Sequence, residues 1–344
     1  MIQRITLSLL FLLISHFLFA QIGGNNTFEF LNLNSSARIT ALGGNAIATR
    51  TDDITLVSEN PSQLMPSMNK QIGLSFVNYF AGIKYGDVAY AQDLKKLGMF
   101  AANVHYVSYG SFDQTDEAAN VNGSFTASEY ALGLSWSRPL DSSFFLGASL
   151  KGIYSHLETY TSTGIAADVA ATYYNSRHFI CVTTVIRNLG TQLDQYRMGS
   201  REKLPYEVQL GISKQLSKAP LRFSLIGQHL EKYNLTYQDP NAVTVDPLTG
   251  ESTEKKIKFS DKVLRHLILN TEILISKGFN LRVGYNYERR KELGLSAKMG
   301  LAGLSGGFGI RINRFNISYG YAKYHIAGGS NSFTVSTTLA KRNK

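Results

Sequence analysis

The sequence predicts an all-β protein: a 14-stranded antiparallel transmembrane β-barrel with an N-terminal hatch, or plug, inside its lumen. Three observations predict it. Apolar and polar residues alternate in stretches of about ten residues, the number of these stretches is even, and their connections alternate between short and long. After the N-terminal region, no segment approaches the ~18 consecutive apolar residues of a membrane-spanning helix.

The alternation is clearest in three segments. In Phe279–Arg290, large apolar side chains alternate with Asn, Arg, Gly and Glu. Phe315–Tyr324 and Glu129–Ser137 show the same period of two, with small or polar residues on the second face. A soluble β-sandwich shares this pattern, but its strands usually run about five or six residues. Longer strands with a small, polar or charged second face fit a barrel that has lipid outside and water or a plug inside.

The number and spacing of the strands support the barrel. We place predicted strands at residues 70–80, 83–93, 97–109, 125–138, 143–156, 163–174, 178–188, 206–216, 220–229, 266–276, 279–290, 304–312, 314–324 and 332–341. The long connections, 110–124, 189–205, 230–265 and 291–303, all fall at one end, and short turns join the strands at the other. Short periplasmic turns and long external loops are typical of outer-membrane barrels of Gram-negative bacteria.

Residues 1–20 predict a cleaved secretory signal peptide. Arg4 supplies the positive charge, Ile5–Ile14 is mostly apolar, and Ala20 is a small residue before the cut. A membrane-spanning anchor is the alternative, but the apolar run is near the lower length limit and is interrupted at Ser15. We therefore divide the chain into a signal peptide (1–20), a hatch (21–69) and a barrel (70–344).

Composition restricts the function classes. The formal net charge of +10 suits either nucleic acid or a phosphate-rich lipid surface. A secreted chain has little access to nucleic acid, so we predict no nucleic-acid partner and expect contact with outer-membrane lipid and lipopolysaccharide. The single cysteine, Cys181, excludes a disulfide within the chain.

The segment Gly23–Met68 does not alternate and is rich in turn-forming and charged residues. Such a segment predicts a compact element within the lumen, because an empty lumen of this size would be an open pore. Its candidate functional residues are Arg38, Gly43, Gly44, Asp52, Asp53, Asn60 and Pro61. Because proline restricts both itself and the preceding residue, we predict that Asn60-Pro61 fixes the exit of the hatch toward the first strand.

These hatch residues resemble the N-terminal hatch of FadL-type outer-membrane barrels, a family with 14 strands. The likeness is carried by Leu42–Ala46, Asp52-Asp53 and Asn60-Pro61. With Asn26–Leu31 and the residues up to Tyr90, the segment resembles more specifically the PorQ-type barrels of the type IX secretion system, which are related to PorV. The chain departs from the family at Ser62, where alanine is common, and in its basic last residues.

The resemblance implies a structural function. PorQ-type barrels belong to the attachment complex that processes secreted cargo and joins it to anionic lipopolysaccharide. They are regarded as the tether of PorZ, a surface protein that handles this lipopolysaccharide. We therefore expect a PorZ-like partner, with PorU and PorV as further members of the complex. The FadL-type hatch implies an alternative, a transporter of hydrophobic small molecules, which needs an apolar pocket below the external loops.

A surface enzyme is a third hypothesis, and the sequence gives little support for it. Catalysis needs a nucleophile or activated water beside a base. Six histidines follow the signal peptide, each on a different strand and without metal-ligand spacing: 105, 156, 178, 229, 266 and 325. The glycine-rich run Gly303–Gly309 opens no helix and lacks the lysine of a phosphate loop. We predict no catalytic residue, no metal and no cofactor.

The connection Leu230–Arg265 is the longest and is predicted to lie outside the cell. Aromatic residues beside basic ones are typical of a protein interface with buried rings and a charged rim. The candidate partner-binding residues are Tyr233, Tyr237, Lys255, Lys256, Lys258 and Phe259. The same lysines suit lipopolysaccharide phosphates. We predict that this loop binds the surface partner.

Charges of both signs occur at predicted lumenal positions: Glu129, Lys151, Asp168, Arg222, Glu272, Arg282, Glu288 and Arg311. They suit two functions. A pore could use them to select ions, or they could pair with Arg38, Asp52 and Asp53 of the hatch, which relieves buried charge. We favour pairing.

Overall fold

The computed structural model describes residues 26–197, 199, 201–236, 243–245, 252–254, 258–293, 300–325 and 328–339. The predicted signal peptide lies outside this range. The main element is a closed barrel of 14 antiparallel strands, so the predicted fold class is confirmed.

The first nine strands of the barrel are β1 (Gln71–Asn78), β2 (Lys84–Asp93), β3 (Met99–Thr115), β4 (Val121–Pro139), β5 (Phe144–Leu157), β6 (Tyr160–Asn175), β7 (Ile180–Asp194), β8 (Glu207–Gln215) and β9 (Leu221–Gly227). A separate small hairpin follows, made of β10 (Val243–Val245) and β11 (Ser252–Glu254). The barrel continues with β12 (Leu267–Ser276), β13 (Phe279–Asn286), β14 (Leu304–Ile312), β15 (Phe315–His325) and β16 (Gly328–Thr338).

The barrel closes where β1 pairs with β16. The pairing runs from Gln71 opposite Thr338 to Asn78 opposite Asn331 without a break in register. The remaining barrel strands pair with the strands that precede and follow them along the chain. The small hairpin is not part of the barrel, so β9 pairs with β12. Closure is required because lipid offers no hydrogen-bond partner to an edge strand.

The two faces of the strands differ as the alternation predicts. On β4, Leu132 and Leu134 point outward and are 63% and 55% exposed, while Glu129 and Ser135 point into the lumen and are buried. On β1, Leu74 and Phe76 face outward and Ser75 faces inward. The protein therefore presents a largely apolar surface to lipid and a polar wall to its own interior.

Tyrosine rings mark the external membrane boundary on the outer face. Tyr106 and Tyr130 lie opposite each other on β3 and β4, with ring centres 4.7 Å apart, and Tyr154 of β5 continues the row at 6.3 Å from Tyr130. Aromatic rows of this kind sit at the depth of lipid headgroups. With the closed barrel and its apolar exterior, they place the protein in the outer membrane of a Gram-negative bacterium.

Several predicted boundaries are wrong. β3 and β4 remain paired beyond the tyrosine row, so the predicted loop 110–124 is mostly a hairpin with a tight turn at 116–120. β7 likewise extends to Asp194. The alternation does not reveal where a strand leaves the membrane, because backbone pairing continues for as long as both strands supply partners.

Two short external helices also differ from the prediction. Helix α2 (Phe259–Arg265) lies within the predicted loop, and helix α3 (Tyr287–Leu293) replaces the end of the strand predicted at 279–290. The Asn286 side chain accepts a hydrogen bond from the Arg289 amide at 3.0 Å, which caps the start of α3. None of the helices in the described ranges has the length and apolar character that a membrane span requires.

Residues 26–69, here called the plug, lie within the barrel. They contain helix α1 (Ala37–Ala41) and four short 3-10 helices, at 29–32, 54–56, 61–63 and 66–68. At the external end, the Thr27 amide donates a hydrogen bond to the Lys203 carbonyl at 2.9 Å. At the periplasmic end, Met68 packs in a cluster with Ala91 and Met99.

The plug packs against the wall through separate apolar clusters. We call the largest the external apolar cluster: Phe28, Phe30 and Leu31 of the plug pack against wall residues that include Val107 and Ile153. In a second cluster, Ile47 packs against four strands, through Ala170, Val185, Ile226 and Ile268. Burying these side chains stabilises the position of the plug by about 1.5–3 kcal/mol for each large residue.

Candidate functional site: the plugged lumen and its external mouth

Glu272 of β12 holds the centre of the plug. Its carboxylate lies 2.6 Å from Arg38 of α1, 2.7 Å from Arg222 of β9 and 3.4 Å from Arg282 of β13. Arg38 also pairs with Asp53 at 3.4 Å. The hatch and wall charges therefore pair, which was the favoured alternative, and three predicted lumenal charges belong to one network.

Arg38 is buried, and its surroundings keep it charged. Burial lowers the pKa of its guanidinium, but the carboxylates of Glu272 and Asp53 outweigh burial and raise the pKa above its ordinary value. A buried charge of this kind is stable only while its partners remain in place. The network therefore links the position of α1 to the position of the wall.

A second network joins the plug to β5, β6 and β7. Arg187 lies 2.7 Å from Glu59 of the plug and donates a hydrogen bond to the Leu31 carbonyl at 3.2 Å. Lys151 and Asp168 form a neighbouring pair at 2.7 Å. The sequence analysis missed Glu59 and Arg187. Arg187 could have been recognised as a lumenal residue, because it lies an even number of positions from the buried residues Cys181 and Val185 and so faces the same side of β7.

The remaining predicted lumenal charges have other environments. Glu129 accepts a hydrogen bond from Tyr109. Arg311 and Asp52 approach to 3.6 Å, but their side chains are 49% and 52% exposed, so this pair contributes little. Glu288 is not on a strand: it lies on α3, where it accepts a hydrogen bond from Gln228.

Asn60 and Pro61 lie against the wall rather than at the exit to β1. The Asn60 side chain accepts a hydrogen bond from the Ser62 amide at 3.0 Å and donates one to the Ile47 carbonyl at 2.8 Å. Ser62 in turn contacts Thr172 of β6 at 2.7 Å. The 3-10 helix at 66–68 stands between this motif and β1.

Gly43 and Gly44 end helix α1. Both have positive φ, +84° and +96°, and the Gly44 amide donates a hydrogen bond to the Ile39 carbonyl at 3.0 Å. This is a helix C-cap that glycine adopts without strain. The Gly43 amide also donates a hydrogen bond to Ser305 of β14 at 2.8 Å, so the turn is attached to the wall. Asp53 caps the 3-10 helix at 54–56 by accepting the Thr55 amide.

The predicted partner-binding loop is only partly within the described ranges. Tyr237, Lys255 and Lys256 lie outside them. Tyr233 and Phe259 are 74% and 69% exposed, and the Lys262 ammonium lies 5.6 Å from the centre of the Tyr233 ring. Lys258 immediately precedes α2. Two exposed rings beside basic residues therefore lie on the external face.

A polar cavity of about 200 Å³ lies at the external mouth, between the plug and α3. We call it the mouth cavity. The plug supplies Asn34, Gly44 and Asn45, and α3 supplies Glu288, Arg289 and Glu292. Asn32 of the plug and Leu293 of α3 also line it. The wall supplies Arg187 of β7, Glu207 and Gln209 of β8, Gln228 and His229 after β9, and Asn286 of β13.

Two histidines at the mouth contact carboxylates and a backbone carbonyl. His229 lies 3.4 Å from Glu231 and 3.7 Å from Glu207, and His266 contacts the Gln228 carbonyl at 2.9 Å. Among the described residues, no group of three or more His, Cys, Asp or Glu is arranged to hold a metal ion. Burial lowers the pKa of His229, but Glu231, Glu207 and Glu288 outweigh it and raise the pKa to about 9.

No protein-family profile matches the sequence, and no curated protein is significantly similar to it. Solved structures with a similar fold exist. The toluene transporter TbuX of Ralstonia pickettii gives a TM-score of 0.54 at 11% identity, covering 90% of this chain and 100% of its own. The monoaromatic hydrocarbon channel CymD gives 0.52 at 13% identity, with 92% and 100% covered.

A FadL homologue from Pseudomonas aeruginosa gives a TM-score of 0.51 at 10% identity, covering 89% of this chain and 98% of its own. At identities this low, the likeness concerns the fold alone. The structural neighbours of this chain are thus FadL-type 14-stranded outer-membrane barrels, and this protein has their fold.

Proposed function

We propose that this protein is a closed outer-membrane anchor that holds a surface protein at the cell exterior. In the finer form of the proposal, it is a PorQ-like barrel of a type IX secretion attachment complex. Its partner is then a PorZ-like protein that handles anionic lipopolysaccharide, and PorU and PorV belong to the same complex. The finer form rests on the resemblance of residues 25–90.

The observation that carries the proposal is the polar filling of the lumen. The plug extends from Thr27 at the external mouth to Met68 at the periplasmic end. Between them, Arg38–Glu272 and Glu59–Arg187 are buried ion pairs that cross from plug to wall. An anchor needs no passage, whereas a passage for apolar molecules would have to avoid these charges.

The external face supports a docking function. Tyr233 and Phe259 expose most of their rings, and Val263, one turn further along α2, is 41% exposed. Exposed rings next to basic side chains favour a protein partner that buries the rings and leaves the charges at the rim.

The test is co-purification in mild detergent. The double variant Tyr233→Ser with Phe259→Ser should assemble normally and lose the surface partner from pull-downs. Phe112→Ser is the matched control, because Phe112 is 44% exposed on the separate β3–β4 hairpin. Loss of the partner in the control alone would move the docking site to that hairpin. Absence of any surface protein from wild-type pull-downs would refute the anchor proposal.

Transport of hydrophobic small molecules is the second candidate, and the fold comparisons favour it over the anchor. TbuX is described as a toluene transporter and CymD as a monoaromatic hydrocarbon channel. The external apolar cluster is the matching observation in this chain, because the rings of Phe28 and Phe30 occupy apolar space below the mouth. A transporter would have to displace these rings to admit an apolar ligand.

Toluene uptake into liposomes distinguishes the two candidates. If the protein is a transporter, wild-type barrels should raise toluene entry above that of empty liposomes, and Phe28→Ala with Phe30→Ala should raise it further. If it is an anchor, wild-type uptake should equal that of empty liposomes while the surface partner is retained. Co-purification tests the anchor and toluene uptake tests the transporter, so either proposal can be refuted without refuting the other.

A further inference from the structure

The mouth cavity contains buried polar groups that the fold leaves without partners. Gln209 is 2% exposed, and within the described ranges its side-chain oxygen has no hydrogen-bond partner. Arg187 Nε and Arg289 Nη1 also lack partners there. A buried polar group without a hydrogen-bond partner destabilises the fold, and native proteins contain few of them. Three around one cavity indicate a site that is completed by a ligand.

The unpartnered groups specify the chemistry of that ligand. Gln209 offers an acceptor, and the two arginines offer donors. The matching ligand must therefore both donate and accept hydrogen bonds at neighbouring positions. Hydroxyl groups do both, while a simple anion only accepts and an ammonium group only donates.

The charges around the cavity argue against a purely ionic ligand. Arg187 is already paired with Glu59 at 2.7 Å, and Glu207 accepts a hydrogen bond from the His229 amide at 3.2 Å. Arg289 lies 4.3 Å from the centre of the Tyr324 ring, which partly satisfies its charge. Glu288, Glu292 and His229 also line the cavity, so both charge signs are present. The largest group of lining side chains is the carboxamides of Asn32, Asn34, Asn45, Gln209, Gln228 and Asn286. Carboxamides bind neutral polar ligands that present both donors and acceptors.

The size of the cavity agrees with this chemistry. A volume of about 200 Å³ is large enough for several water molecules or one small polar ligand. A six-membered sugar ring with its hydroxyl groups has about this size. We propose that the mouth cavity binds one pyranose ring, presented from outside the cell as a free sugar or as a unit of a surface glycan. The inference is independent of both candidate functions.

The experiment is a saturation-transfer NMR titration of the full-length barrel in detergent. The probes are glucose, galactose, mannose and N-acetylglucosamine, each tested alone. At least one should bind saturably, and Gln209→Met should weaken it about tenfold, as expected for one lost hydrogen bond. Gln71→Met is the matched control: Gln71 is 3% exposed, faces the lumen and also has an unpartnered side-chain oxygen, but it lies at the periplasmic end.

A second variant keeps the test valid if Gln209→Met fails to assemble. Leu293 lines the cavity from α3, so Leu293→Trp should fill it and abolish sugar binding. Inorganic phosphate and ethanolamine are titrated as the anionic and cationic alternatives. Saturable binding of either in place of the sugars would overturn the proposal. The absence of saturable sugar binding would also overturn it, and would mean that ordered water alone satisfies these groups. Equal sugar binding by the wild type and Gln209→Met would overturn it as well.

Discussion

At the scale of single residues, Glu272 connects the plug to three strands. Its carboxylate is 1% exposed and contacts Arg38, Arg222 and Arg282. Removing it would leave three guanidinium groups facing one another in a buried space. Removing one arginine would leave the carboxylate with two partners. The network is therefore more sensitive to the loss of its anion than to the loss of any single cation.

We predict that Glu272→Gln destabilises the protein by about 3–5 kcal/mol, the cost of breaking a buried ion pair from one side. Arg38→Met should cost less. The measurement is urea unfolding of the barrel in detergent. Arg311→Ala is the control, because Arg311 and its partner Asp52 are about half exposed, and it should change stability by less than about 1 kcal/mol. Similar effects for Glu272→Gln and Arg311→Ala would show that the network does not stabilise the plug.

Two titrating residues at the mouth predict a pH effect. Burial raises the pKa of Glu288 to about 7, while that of His229 is raised to about 9 by neighbouring carboxylates that outweigh burial. Because burial disfavours the ionised carboxylate of Glu288, this residue increasingly destabilises the folded state as the pH rises from 4.5 through about 7. Charged His229 stabilises the fold fully below pH 6.5, and this contribution is lost as the pH rises through about 9.

We therefore expect α3 to loosen in two steps as the pH rises. Amide hydrogen exchange of residues 287–293, corrected for the intrinsic effect of pH, measures this. Glu288→Gln should remove the lower step and leave the upper one, and His229→Gln should do the reverse. A single step, or steps unaffected by these substitutions, would refute the assignment.

At the scale of elements, glycines in the wall let the plug backbone lie directly against the strands. A Cβ on Gly147 of β5 would lie 2.2 Å from the Ser62 amide nitrogen, and one on Gly284 of β13 would lie 2.2 Å from the Gly43 nitrogen. Real Cβ atoms do not approach backbone this closely. Each such glycine fixes one contact between a strand and the plug.

We predict that Gly147→Val displaces the plug around Pro61 while the barrel still assembles. The expected result is faster proteolysis between residues 50 and 70. Gly152→Val on the same strand is the matched control, because a Cβ at Gly152 meets no atom within 4 Å. Equal protease resistance in the two variants would mean that the plug adjusts to the added side chain.

At the scale of the whole molecule, the plug fills the lumen of the barrel. A barrel of 14 strands encloses a lumen wider than that of eight-stranded barrels, whose own side chains fill the interior. Here the plug occupies that space with its own helices, ion pairs and apolar clusters. We infer that an unfilled lumen of this width would be an open pore.

We predict low conductance for the wild type in planar bilayers and a large increase after deletion of residues 26–62. The Tyr233→Ser, Phe259→Ser variant is the control, because these residues are exposed on the external face. It should conduct like the wild type. Equal conductance with and without the plug would show that the lumen is closed by other residues.

The sequence by itself determined the barrel. Strand number, strand order and the inward or outward direction of side chains follow from the alternation of apolar and polar residues. This alternation can be read directly from a single sequence. Arg38, Asp53 and Glu272 were also identifiable as candidates, because a charge on the lumenal face or in a segment without alternation stands out. The resemblance at residues 25–90 added a function that neither the fold nor the comparisons test.

The tertiary structure decided which of these residues meet. Arg38 and Glu272 are 234 positions apart, and no local pattern indicates that closing the barrel brings them to 2.6 Å. The mouth cavity was not predicted, because its lining comes from the plug, three strands, the segment after β9 and α3, and each contributes only one to a few residues. The alternation also did not reveal α3 at Tyr287–Leu293, because Tyr287 and Glu288 continue the period of two although the helix has already begun after the Asn286 cap. Local periodicity records which side of the wall a residue faces, whereas contacts across the lumen depend on closure, which only the complete fold provides.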